Sequence, residues 1–244
     1  MYVVLVAGGV GGGLVGSVAG LASLVSYPVL LALGLPPVTA NVTNTVALVF
    51  STAGSVAGSR AELVGQAPRI RRLAVAAVAG GVVGSGLLLL APARSFEFVV
   101  PWLIAGASAA ILLPRRTAGA DLHRHGGPVL FGGVALVGVY GGYFGAAAGV
   151  LLLALLLSMT PDTFARGVAA KNVLLGSANA VAAVVVALFG PVRWLVVLPL
   201  GIGFFVGGGL GPLIVRRTPP TALRALIAAL GVGLAVDLGW QVYR

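Results

Sequence analysis

The sequence predicts an all-α integral membrane protein made of two homologous halves in inverted orientation. Three observations carry this. Hydrophobic residues fill 59% of the 244 positions and charged residues only 8%, against roughly 25% charged in a soluble domain. Residues 16-40 reappear, shifted by 125, as residues 141-165: Gly16/Gly141, Gly20/Gly145, Ala22/Ala147, Val25/Val150, Leu30/Leu155, Pro36/Pro161 and Ala40/Ala165 keep that offset, and a second stretch, from Gly80/Gly203 through Gly84/Gly207 to Ala105/Ala228, agrees at 123. The third observation is the placing of arginines between the apolar runs, which sets the orientation of each half.

Each half opens on a glycine-rich apolar stretch, 3-35 or 128-160. About 30 residues is short for two full crossings at ~1.5 Å rise per residue but suits a re-entrant or broken pair of helices. The glycines, and Pro28 in the first copy, permit the break. A long tilted helix is the alternative and would make the halves parallel. Three apolar runs follow in each half, about 40-59, 73-91 and 97-113, then 167-189, 194-214 and 223-240, each near the ~20 residues that span the hydrocarbon layer as a helix. The first membrane repeat is thus 1-113 and the second 128-244, joined by a cytoplasmic linker at 114-127.

Loop 60-72 carries Arg60, Arg69, Arg71 and Arg72, the linker Arg115, Arg116 and Arg124, and loop 215-224 Arg216, Arg217 and Arg224; the loops near 92-96 and 189-193 hold only Arg94 and Arg193. Positive loops stay inside. Equivalent loops of the two halves then fall on opposite sides. Each half must cross the membrane an odd number of times, so each opening stretch enters and leaves on one side.

The same distribution accounts for the net charge of +10 without nucleic acid, because the basic residues are spread over short loops. Absence of cysteine excludes a disulfide framework and a thiolate metal site. Gly11-x-Gly13-x-x-Gly16 spells a dinucleotide fingerprint, but no strand precedes it and no Walker lysine is present, so no cofactor is expected. Glu62, Glu97, Asp121 and Asp162 fall in or beside loops and Asp237 near the end of the last span; His123 and His125 belong to the linker. Neither paired carboxylates nor a Ser/His/Asp set lies within the spans, so enzyme chemistry has no candidate machinery.

Duplicated halves in a membrane protein point to a transporter with its site between them. Glycines recur every four residues at Gly12, Gly16 and Gly20, at Gly141, Gly145 and Gly149, and at Gly203, Gly207 and Gly211. Such a stripe lets helix backbones approach, and re-entrant half-helices direct N–H groups at an anion near the midplane. Polar candidates within the spans are Asn41, Asn44 and Thr45, then Ser51, Thr52 and Ser55, and in the second half Asn172 and Asn179, which share a helix face. Lys171 lies eight residues past Thr163, roughly 12 Å along a helix. A lysine that deep is costly and marks a pathway or binding site, here for an anion. Arg166, nearer the surface, is an entry residue or an interfacial anchor.

The glycine-rich opening, Tyr27-Pro28-Val29-Leu30-Leu31 leading to Pro36, Asn41-Val42-Thr43-Asn44-Thr45 and Gly80-Gly81-Val82-Val83-Gly84-Ser85-Gly86, together with the second copy's Pro161, Ala165 and Gly207-Gly208-Gly209, resemble the TauE/SafE family of membrane transporters. The resemblance spans nearly the whole chain. It implies a multi-pass carrier of the cytoplasmic membrane that exports sulfite, sulfoacetate or related small anions. In this chain Leu21-Ala22-Ser23-Leu24-Val25-Ser26 and Gly145-Ala146-Ala147-Ala148-Gly149 replace the family's usual glycine cluster. The combined expectation is anion export by alternating access, with Lys171, Asn172, Asn41, Asn44, Thr45 and Asn179 at the substrate and the glycines at the moving interfaces. An anion channel, a membrane-embedded enzyme and a structural subunit are the rival readings. Partners are the small anion and the lipid bilayer; a coupling ion, proton or sodium, and a homodimer are left open.

Overall fold

The computed structural model describes residues 1–91, 120–145 and 147–219, with Ala222, Ala229 and Trp240 beyond them. Nine helices make up these residues: α1 Tyr2–Ala19, α2 Ala22–Ala32, α3 Pro37–Gly58, α4 Arg60–Leu63, α5 Ala67–Leu90, α6 Ala120–Tyr143, α7 Ala148–Met159, α8 Phe164–Phe189 and α9 Trp194–Arg217. The third span of each half, read at 97-113 and 223-240, falls outside the described residues apart from the single positions just named, as do Arg94, Arg115, Arg116, Glu97 and Asp237. Four helices, α1, α5, α8 and α9, are long and apolar enough to cross a membrane. α3 has 22 residues but carries Asn41, Thr43, Asn44, Thr45, Ser51 and Ser55, all buried.

Three sequence expectations shift. Loop 60-72 is largely helical: Arg60 is in α4, and α5 begins at Ala67 because Pro68, without an N–H to bond, suits a first turn. α6 begins at Ala120, inside the segment assigned to the linker. Pro28 lies within α2 and makes no break.

The breaks fall instead at the matched glycines. α1 closes on Gly20 in the left-handed region (φ 79), whose N–H bonds Gly16 O at 2.7 Å. The chain then folds back, so that α2 sets Val29 against Gly8, Val25 against Gly11 and Ala22 against Gly16. In the second copy α6 ends at Tyr143, Gly145 is left-handed at φ 74, Ala147 at φ 63, and α7 returns to place Leu155 against Gly133. Met1 and Leu33–Pro36 border one groove with Val192–Val196, so the first opening stretch enters and leaves at one end of the bundle. The glycine stripes need correction accordingly. Gly203, Gly207 and Gly211 share a face of α9, but Gly20 and Gly145 sit in breaks and Gly149 on α7, so neither opening triplet is one helix face.

Glycine decides the packing. α9 runs parallel to α1, with Gly203 on Gly9, Gly207 on Val10 and Gly211 on Ser17; α5 runs parallel to α6, with Gly80 on Gly138 and Gly84 on Val139. A side chain at any of these positions would strike a backbone or hydroxyl across the interface. Each opening helix therefore packs on the last described helix of the other half. α3 and α8 cross the middle and run antiparallel: Thr52 meets Gly176, Arg193 N donates to Thr43 Oγ1 at 3.1 Å, and at the opposite end Arg166 donates to Val64 O at 3.2 Å. The Arg166 end also holds Arg69, paired with Asp162, and Arg216, paired with Glu62. Arg193 lies at the far end.

Candidate functional site

The two breaks meet in the middle of the bundle. Gly20 and Gly149 touch so closely that a Cβ on either would overlap the other's backbone. Around them Gly16 and Ser17 of α1, Ala22 and Ser23 of α2, Leu48, Ser51, Thr52 and Ser55 of α3, Gly145, and Asn172, Leu175, Gly176 and Asn179 of α8 line a cavity of about 40 Å³. A water needs ~10–15 Å³ by this measure, so the space admits a small polar guest and not a large one. The N-terminus of α2 ends here, Ala22 and Ser23 of its first turn lining the space; the start of α7 lies beside it, with the Ala148 and Val150 N–H groups bonded to Gly145 O and Ala147 O.

The opposite pole, the C-terminus of α1, ends at the same place and would spoil that field. Lys171 is set against it. Its Nζ donates to Gly16 O at 3.0 Å and Ser17 O at 2.9 Å, and Asn172 Nδ2 also donates to Ser17 O at 3.2 Å. The Lys171 side chain is fully buried. A cation at a helix C-terminus complements the half-charge of the exposed carbonyls. With α1 neutralised, the positive N-terminus of α2 dominates what the cavity sees. Asn41 treats the second copy likewise, its Nδ2 donating to Tyr143 O, the last residue of α6, at 3.2 Å.

The predicted residues thus divide. Asn172, Asn179, Gly16, Gly20 and Gly145 line the cavity. Lys171 stands one layer behind the wall, on carbonyls of residues that form it. Asn44 fixes α2 to α3, accepting from Ser26 Oγ at 2.6 Å and donating to Ser23 Oγ at 3.1 Å. Thr45 Oγ1 donates to Asn41 O within α3, at 3.0 Å. Gly141 packs beside Leu175, and Gly149 meets Gly20. Arg166 lies 3.6 Å from Asp162 at the arginine-rich end, away from the cavity. Sequence reasoning missed Ser17 and Ser23. The signal was a lone serine three residues either side of the left-handed glycine; Ser17 Oγ is buried with no hydrogen-bond partner among the described residues.

The two carboxylates with described side chains are both engaged at the arginine-rich end. Arg69 and Arg166 pair with Asp162, and Arg216 with Glu62, whose carboxyl the Arg216 hydrogen bond holds below the usual range. Among the described residues, Lys171 has no carboxylate partner. The arrangement is a small cavity with one helix N-terminus, amide and hydroxyl donors, and behind one wall a lysine with no carboxylate partner among the described residues, which suits an anion.

The family described as sulfite exporter TauE/SafE matches residues 5–238 of the chain. A probable membrane transporter protein, ORF9 of Sinorhizobium sp, is 26% identical over 233 residues, covering 93% of this chain and 87% of the relative. The probable membrane transporter protein YfcA of Escherichia coli (strain K12) is 24% identical over 229 residues, covering 93% and 85%. No solved structure matches the chain.

Proposed function

The chain belongs to the TauE/SafE family of membrane transporters, and from this premise we propose that it exports sulfite, a sulfonate or a related small anion across the cytoplasmic membrane by alternating access. The carrying observation is the contact of the first break, at Gly20, with the start of α7 at Gly149, just past the second break, beside a small cavity lined by serines and asparagines with Lys171 behind its wall. Asn172, Asn179, Ser17 and Ser23 are the hydrogen-bonding groups for the anion, and the first turn of α2 supplies backbone N–H groups.

Inverted halves are part of this reading. Their support is that α3 and α8, equivalent under the repeat, run antiparallel, and that arginines collect at one end of the bundle. Two contacts between the halves are the candidate gates. At the arginine-rich end Asp162 holds Arg69 while Gln66 Nε2 donates to Arg166 O at 3.3 Å; nearer the centre Tyr27 and Phe144 stack edge to face at 5.7 Å. Alternating access opens one while the other stays shut, with the glycine-lined contacts as the sliding surfaces.

The test is efflux of labelled sulfite from liposomes carrying the purified protein. Saturable flux with counterflow is expected, and Asn172→Leu with Asn179→Leu should weaken it about tenfold or more, as removal of buried hydrogen bonds to a charge does. Unsaturable flux without counterflow would make it a pore. No flux of sulfite, sulfonate or carboxylate above protein-free liposomes would end the anion reading.

A further inference from the structure

Lys171 is the only lysine of the chain; every other residue among its 15 basic side chains is arginine. Arginine serves the surface pairs, where a planar fork grips a carboxylate: Arg216 donates to both Glu62 oxygens, at 2.6 and 2.8 Å. The one buried cation is instead an ammonium, a compact point charge. It is bound as such, by the main-chain oxygens of Gly16 and Ser17 at 3.0 and 2.9 Å, where α1 stops. Carbonyls at the broken end of a membrane half-helix are the ligand type that takes an alkali-metal coupling ion.

We propose that the Lys171 ammonium is a tethered occupant of a monovalent-cation site at the end of α1, and that the carrier therefore binds and moves its anion without sodium. This rests on the central anion site proposed above. Three features bear on it besides the contact itself. Asn172 Nδ2 shares Ser17 O and fixes its direction. The side chain is fully buried, so its charge is not spent on water. Neither carboxylate with a described side chain neutralises it, both being paired at the arginine-rich end. Lys171 is accordingly a positioning residue: it holds the end of α1 and sets the sign of the field without touching the substrate.

The experiment measures sulfite binding and flux with sodium replaced by choline, for the parent and for Lys171→Ala. The parent is expected to keep its flux in choline. Lys171→Ala should bind sulfite about tenfold to thirtyfold more weakly, the effect of losing a well-placed cation at a helix end. Methylammonium or sodium should restore binding to Lys171→Ala by entering the vacated space, and choline, being too large, should not. Parent flux that collapses in choline overturns the proposal. So does a folded Lys171→Ala protein that binds like the parent, or that neither small cation rescues. If Lys171→Ala does not fold, the choline exchange on the parent still decides. Failure of the parent to bind sulfite at all would instead sink the anion site itself.

Discussion

Gly20→Ala and Gly34→Ala form a matched pair that isolates the contact between the two helix breaks. Both glycines have left-handed backbone, φ 79 and φ 83, a conformation that costs an L-residue ~1–2 kcal/mol. They differ in surroundings. A Cβ at Gly34 meets nothing within 4 Å, whereas one at Gly20 meets the Gly149 backbone, which cannot move aside without displacing α7. Forcing a methyl into a packed site adds ~1–3 kcal/mol. Gly34→Ala should therefore cost ~1–2 kcal/mol and Gly20→Ala ~2–5 kcal/mol. At ~2–4 °C per kcal/mol for a chain of this length, the Tm in detergent should fall by ~2–8 °C and ~4–20 °C respectively. Sulfite flux should survive Gly34→Ala, whose site is the turn after α2, and be lost in Gly20→Ala, whose site is the cavity wall. Equal Tm shifts, or a Gly20→Ala protein that transports normally, would refute the meeting of the breaks.

Other expectations follow from the same geometry. Ala147 has φ 63 and its methyl is fully buried, so Ala147→Gly relieves ~1–2 kcal/mol of left-handed strain against lost packing and ~0.4–1 kcal/mol of added unfolded-chain freedom and should raise stability by less than about 1 kcal/mol, read as Tm; a fall would show the methyl's packing outweighs the strain. Glu62 is held below its ordinary pKa by Arg216, so the pair's contribution is complete above the unfolded value near 4.5 and fades as pH falls through the lower folded value. At the surface that is at most about 1 kcal/mol; Glu62→Gln should flatten only this acid limb of the Tm profile. The chain has no cysteine, so Val64→Cys and Val192→Cys can be labelled singly with an impermeant maleimide. They should react from opposite faces of the membrane, and labelling from one face would make the halves parallel.

Much of the scaffold was legible because its causes are local. Hydropathy placed α3, α5, α8 and α9 to within a few residues at most ends, since an apolar run in lipid has little choice but a helix. The repeat went further: Gly20 and Gly145, paired by offset alone, are the two left-handed glycines of the breaks. Seven-residue spacing put Asn172 and Asn179 on one face, and both line the cavity. What stayed hidden depends on contacts between distant parts of the chain. Nothing near Lys171 in sequence says that its partners are Gly16 and Ser17, and nothing near Asn41 names Tyr143. Asn44 looked like a substrate ligand because a buried amide must bond something; its partners proved to be the serines of α2. Ser17 was invisible for the converse reason, a single hydroxyl in a run of glycine and valine.

The exchange of partners between the halves bears on how the chain can be made. α1 has two fitted faces: Gly8, Gly11 and Gly16 take α2 of its own half, whereas Gly9 and Gly13 are fitted to the backbone of α9 in the other. Between the end of α1 and the end of α9 the ribosome adds about 200 residues, which at ~5–20 residues/s takes ~10–40 s. For that interval the Gly9 and Gly13 face of α1 is without the helix it fits. Neither half is thus a self-sufficient folding unit. Expressed separately, each should be degraded, and expressed together as two polypeptides they should rescue one another, as the exchanged arms of two intertwined subunits would.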